Sequence, residues 1–101
     1  MTIMNDENWS GEDHRALFAA VASLGDPEEA RDFLRDLCTR RELEDMAQRW
    51  AVARLLASGL PYREIADITG ASTATVTRIN TWLQHGTGGY RRVMERIGEP
   101  S

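Results

Sequence analysis

The stretch that decides the fold runs Tyr62-Arg63-Glu64-Ile65-Ala66-Asp67-Ile68-Thr69-Gly70-Ala71-Ser72-Thr73-Ala74-Thr75-Val76-Thr77-Arg78-Ile79. Two short helices that meet at a tight corner need a small residue in the first, so that the second can cross closely. They also need a glycine in the turn, where backbone φ is often positive, and apolar residues at the crossing. Ala66 is the small residue, Gly70 follows it at the turn, and Ile65, Ala71, Val76 and Ile79 stand at the crossing positions. Pro61 presets entry to the first helix, and Ser72 is placed to cap the second. Thr69 stands where a larger apolar residue is commoner. The pattern predicts a helix-turn-helix over residues 62–82, its second helix running from about Thr73 to Gln84.

That second helix presents Thr73, Ala74, Thr77 and Arg78 on its exposed N-terminal side. Short hydroxyl and methyl side chains let a backbone approach base edges, and a helix N-terminus attracts phosphate. Arg63, on the preceding helix, reaches toward a phosphate or a guanine edge. The expected DNA contacts are therefore Arg63, Thr73, Ala74, Thr77 and Arg78, with Ser72 and Asn80 in support. The bland alternative is a threonine-rich corner in a bundle that binds nothing, because this spacing also arises by chance.

Working outward, glycine and proline fall at segment ends and no region alternates with period two, so the chain reads as all-α. A first helix covers Gly11 to Leu24, with Leu17, Phe18, Val21 and Leu24 on one side, and Gly25 ends it. Asp26-Pro27-Glu28-Glu29 supplies an N-cap, a proline at the first helical position and an early acid. The second helix then turns Ala30, Phe33, Leu34 and Leu37 inward. Thr39 followed by Glu42 is a capping-box pattern that opens a third helix reaching Ser58, roughly 28 Å long. One apolar stripe on it holds Leu43, Met46, Ala47 and Trp50, and another holds Val52, Leu55 and Leu56. A helix apolar over most of its circumference is buried on several sides. A chain this small has too few elements to cover it, so a second copy is the expected cover. A last helix is expected over Tyr90 to Ile97. Residues 1–10 are expected to be disordered or loosely ordered, and residues 11–98 to form one domain.

The chain has 101 residues, enough for one domain and not comfortably for two. No stretch approaches the length a membrane span needs, and Met1 to Ser10 lack a basic-then-apolar signal, so a cytoplasmic protein with no membrane partner is expected. The net charge of −4 argues, taken alone, against nucleic acid. Its distribution softens that objection: residues 1–39 hold nine acids and three arginines, whereas residues 40–101 hold nine arginines and seven acids. Phosphates respond to the local face, not to the whole-chain sum. All twelve basic residues are arginine, which favours bidentate contacts over point charges.

Little else carries chemistry. The single cysteine, Cys38, excludes an intrachain disulfide and reads as a small buried hydrophobe. His14, expected to face solvent, and His85 lack metal-ligand spacing, and no metal or cofactor is expected. Glu28, Glu29, Asp32 and Asp36 form a solvated helical face. Gly86-Thr87-Gly88-Gly89 lacks the lysine and the strand of a phosphate-cradling loop. Trp9, Trp50 and Trp82 are expected to be packing residues. No constellation supports an enzyme.

These residues together resemble the Trp repressor superfamily, and more closely its YerC/YecD-type branch. The matching features are Thr39 through Glu42, Arg49, Gly59, Arg63-Glu64-Ile65, Gly70-Ala71, Ala74-Thr75-Val76-Thr77-Arg78 and Asn80. The run His85-Gly86-Thr87-Gly88-Gly89-Tyr90 looks like the glycine-rich exit of that branch. The resemblance covers about residues 12 to 97. It implies an intertwined homodimer whose two reading heads enter successive major grooves of double-stranded DNA, about 34 Å apart. It also implies an effector site, for which Thr39, Arg49 and Arg78 match the residues that hold tryptophan in the Trp repressor. Ile79 departs from the pattern, since the repressor has a glycine there that leaves space for the indole ring. Trp82 likewise replaces a small polar residue. Tryptophan is therefore not expected to bind, and the existence of any other small-molecule effector is left open. Arg49 and Arg78 are alternatively free to pair with acids such as Asp45 or Glu64. The leading reading is a DNA-binding repressor. The alternative is a helical interaction module that uses the same fold to bind a protein.

Overall fold

The computed structural model of the chain describes residues 9–98. Among them are six helices and no strand: α1 (Glu12–Ala22), α2 (Pro27–Leu37), α3 (Arg40–Ala57), α4 (Tyr62–Thr69), α5 (Thr73–His85) and α6 (Gly89–Arg96). None is long and apolar enough to cross a membrane. The chain divides after Thr39 into two compact units. The expected looseness of residues 1–10 falls mostly outside the described residues; Trp9 and Ser10 are described.

The first unit holds α1 and α2. Trp9 meets His14 edge-on, with ring centroids 5.3 Å apart. His14, expected to face solvent, is half-buried with Trp9 against its ring. α1 stops at Ala22, two residues before the expected end. Ser23 turns its hydroxyl onto the Ala20 carbonyl at 2.7 Å, and the Ser23 and Leu24 amides make short-range bonds to Ala20 and Val21. α2 begins as its sequence dictates: Asp26 Oδ1 accepts from the Glu29 amide at 2.8 Å, and Pro27 fills a position whose N–H would be unsatisfied anyway. Glu29 Oε1 in turn accepts from the Gly25 amide at 2.6 Å. Neither helix carries a buried residue. Phe18 is 49% exposed and Val21 47%, and Leu17 and Leu37 are exposed as well. Of the two apolar faces read from the sequence, Leu24, Ala30, Phe33 and Leu34 are half-buried, while Leu17, Phe18, Val21 and Leu37 stay exposed.

The second unit holds the core. α3, α4 and α5 pack mutually, burying Val52 and Ala53 of α3, Ile65 of α4, Ala71 of the turn, Val76, Ile79 and Leu83 of α5, and Met94 of α6. Trp50 stacks on Tyr90 with centroids 6.1 Å apart. α3 ends in a Schellman motif: the Leu60 amide donates to Leu55 and the Gly59 amide to Leu56, which satisfies carbonyls that have no helical partner. Leu60, carried past that end, packs against the core. Of the two stripes on α3, Val52 is fully buried, and Leu55 and Leu56 of its stripe and Trp50 of the other are half-buried against the core. Leu43 and Met46 are only half-buried, and Ala47 is exposed. Two of the three tryptophans do not pack as expected. Trp9 is exposed, and Trp82 is 48% exposed because it sits about a quarter turn away from the buried line of Val76, Ile79 and Leu83.

Candidate nucleic-acid interface

α4 and α5 are joined by the three residues Gly70 to Ser72. Pro61, in extended conformation, leads into α4, and its carbonyl accepts from the Ile65 amide at 3.0 Å. Gly70 ends α4 in the left-handed region at φ 78°, where a side chain would be strained, and its amide donates to Ala66 at 2.9 Å. Ser72 begins α5 with its Oγ accepting from the Thr75 amide at 3.1 Å. Ile65, Ala71, Val76 and Ile79 are all buried at the crossing, and Ala66 is half-buried beside them. Each of these placements follows the spacing in the sequence.

The corner is further held by bonds that the apolar pattern did not reveal. Thr69 Oγ1 donates to the Ile65 carbonyl at 2.8 Å and accepts from the Ala71 amide at 3.2 Å. The hydroxyl thus closes the turn in place of the bulk that an apolar residue would supply. The Thr69 carbonyl accepts from Gln48 Nε2 at 3.1 Å, which ties the corner to α3. Gln48 lies on the long helix among polar neighbours and gives no periodic signal. The relevant cue was Thr69 itself, a hydroxyl at a helix end beside a glycine.

The outer face of α5 is built of short side chains. Thr73, Ala74, Thr77 and Arg78 are exposed, as are Ser72 and, on α4, Arg63. Asn80 differs from the rest: it is half-buried, and its Oδ1 accepts from Gln84 Nε2 at 3.4 Å along the helix. Arg78 does not pair with Glu64 but turns its Nη2 toward Thr75 Oγ1 at 3.4 Å. Asp45 is engaged by Arg41 at 3.9 Å, leaving Arg49 exposed on α3. Thr39 is exposed immediately before α3. Ile79, by contrast, is 2% exposed, its side chain part of the core. Residues 62–82 carry two arginines and two acids, so this segment has no net charge of its own.

A second feature of this unit had no counterpart in the sequence reading. An open groove of about 260 Å³ is lined by Gln48, Ala51, Arg54, Leu55, Ile68 and Thr69. Ile68 is 61% exposed at its edge. Among the described residues, no cluster of histidine, cysteine or carboxylate side chains is arranged to hold a metal ion.

Comparison with known proteins agrees with this geometry. The family model described as Trp repressor protein matches residues 12–98. The chain is 40% identical over 96 residues to the uncharacterized protein YerC of Bacillus subtilis, covering 95% of this chain and 92% of that protein. A TrpR-like protein from Eubacterium eligens superposes with a TM-score of 0.88 at 42% identity, covering 94% of this chain and 98% of that one. A Staphylococcus aureus structure described as a candidate Trp repressor superposes with a TM-score of 0.89 at 34% identity, covering 98% and 99%.

Proposed function

This chain belongs to the Trp repressor family, and from that premise we propose that it is a sequence-specific DNA-binding transcriptional regulator, acting as a homodimeric repressor. The observation that carries the proposal is the division of α5 into two faces. Val76, Ile79 and Leu83 anchor it in the core, while Thr73, Ala74, Thr77 and Arg78 stand exposed along its outer side. A helix held rigidly from behind, with small side chains at the front of its N-terminal half, suits the major groove. In this scheme the threonine and alanine side chains meet base edges, Arg78 and Arg63 take a guanine edge or a phosphate, and Ser72 lies beside the backbone. Asn80 has the weakest claim of the expected contacts, being half-buried and bonded to Gln84.

A second copy of the chain is the cover that best suits the exposed apolar faces of α1 and α2 and the half-buried stripe on α3. Exposed apolar surface on a helix marks an association site. A two-fold dimer would present two copies of α5, matching a two-fold symmetric operator. We further propose that L-tryptophan is not the effector. Ile79 is packed in the core, and on the resemblance to the tryptophan-binding repressor, which has a glycine there, its side chain takes the room an indole would need, a loss that the exposed Arg49 and Arg78 do not offset.

The groove beside Ile68 favours a second reading, in which the fold binds a protein partner. Salt separates the two. Binding through phosphates weakens steeply as salt rises, whereas an apolar contact does not. The decisive experiment is selection of bound sequences from a random duplex pool. Recovery of a two-fold symmetric site is expected, with Arg63→Ala or Arg78→Ala losing about 1–3 kcal/mol if that arginine reads a base. A folded protein that enriches no sequence would overturn the proposal.

A further inference from the structure

Thr75 was no part of the expected interface, yet it is where the hydrogen bonds of the α5 N-terminus converge. Two other threonines in this region, Thr69 and Thr81, donate their hydroxyls to the carbonyl four residues earlier, at 2.8 Å and 3.2 Å. That is the ordinary use of a helical threonine. Thr75 makes no such bond among the described residues. Its Oγ1 instead accepts from Ser72 Oγ at 3.1 Å and from Arg78 Nη2 at 3.4 Å, while its amide donates to Ser72 Oγ at 3.1 Å. A hydroxyl has two lone pairs and one hydrogen. Both lone pairs are therefore occupied by donors, one from the cap and one from the arginine.

We propose that Thr75 is a positioning residue for DNA reading: it draws the Arg78 guanidinium back toward the N-terminal end of α5 and holds it there for a guanine edge. The inference rests on the DNA-reading function proposed above and assigns a role to a side chain outside the expected contact set. Helical side chains lean toward the N-terminus, and the N-terminal part of a reading helix is the part that meets base edges. An arginine with a long free stem loses rotamer freedom when it docks. One already tethered at the productive place loses less, and the difference appears as affinity for the correct base. The tether uses one guanidinium donor and leaves the others for a bidentate contact with guanine O6 and N7. It is itself fixed, because the Ser72 cap holds Thr75 Oγ1 from the other side.

The test is a double-mutant cycle on a duplex recovered by selection, with the wild type, Thr75→Val, Thr75→Ser, Arg78→Ala and Thr75→Val/Arg78→Ala compared at fixed salt. Valine keeps the branched shape and removes the hydroxyl, whereas serine keeps the hydroxyl. Thr75→Val is expected to weaken binding roughly 3- to 10-fold, the range of one net hydrogen bond, with Thr75→Ser restoring most of the loss. In the Arg78→Ala background the same change is expected to have little further effect, and relaxed discrimination at one guanine should accompany Thr75→Val and Arg78→Ala. An equal loss in both backgrounds would make Thr75 merely structural and overturn the proposal. So would wild-type binding by Thr75→Val, or an Arg78→Ala variant that binds normally. In each of those cases the DNA-reading function stands. A folded wild type that selects no duplex removes both.

Discussion

The two glycines that flank α5 make opposite demands, and substituting each with alanine tests the corner quantitatively. Gly70 has φ 78°, yet a Cβ built on it meets nothing within 4 Å. Gly86 has φ −82°, which any residue adopts, yet its Cβ would come 2.4 Å from the Trp82 carbonyl oxygen. Gly70→Ala therefore incurs only the left-handed backbone penalty, about 1–2 kcal/mol, partly offset by roughly 0.4–1 kcal/mol from the reduced entropy of the unfolded chain. A net loss of about 1 kcal/mol lowers Tm by roughly 4–8 °C for a chain of this size. Gly86→Ala must displace backbone at the last hydrogen-bonded turn of α5, which costs about 2–3 kcal/mol by analogy with overpacking and lowers Tm by roughly 10–20 °C. Gly70→Asn should lie nearer the wild type than Gly70→Ala, since asparagine tolerates the left-handed region. Thermal unfolding followed by circular dichroism at one fixed protomer concentration reads all three, because the stability of an associating chain depends on concentration. If Gly70→Ala proves as damaging as Gly86→Ala, or if asparagine at position 70 brings no relief, the account of the turn is wrong.

Thr69→Val should cost about 1–2 kcal/mol despite its added bulk, because the Ala71 amide loses its acceptor; urea unfolding measures it. Val76→Ala, at a fully buried crossing position, should cost about 2 kcal/mol in the same experiment. Phe18→Glu should leave the chain monomeric in size-exclusion chromatography with light scattering. If two phenylalanines worth about 1.5–3 kcal/mol each are buried per dimer, association weakens roughly 10²- to 10⁴-fold. A wild-type monomer would contradict the dimer. Calorimetric titration with L-tryptophan should give no saturable heat, and a saturable signal would show that Ile79 does not fill the slot.

How far the fold could be read from the chain depended on the kind of interaction involved. Helices announced by a cap or a stop, such as Asp26-Pro27 for α2 and Gly70 for the corner, began and ended where those residues placed them. The buried set Ile65, Ala71, Val76 and Ile79 was legible because apolar residues at a helix crossing recur at fixed spacing. α1 ends two residues before its apolar periodicity does, since Ser23 bonding to Ala20 is a local competition that periodicity does not encode. The size of Trp82 favours packing, but its position on the flank of α5 leaves it exposed. The roles of Gln48 and Thr75 are not encoded in local sequence, for a shared reason. Each acts through hydrogen bonds to partners that can be identified only once the helices are set side by side or the arginine rotamer is known.

The most direct test of the central claim is a titration of the isotopically labelled protein with its selected duplex, following backbone amide shifts residue by residue. The largest changes are expected at Ser72, Thr73, Ala74, Thr77 and Arg78, with smaller ones at Arg63. Changes confined to α1 and α2, or to the groove around Gln48 and Ile68, with the front of α5 unmoved, would contradict the account.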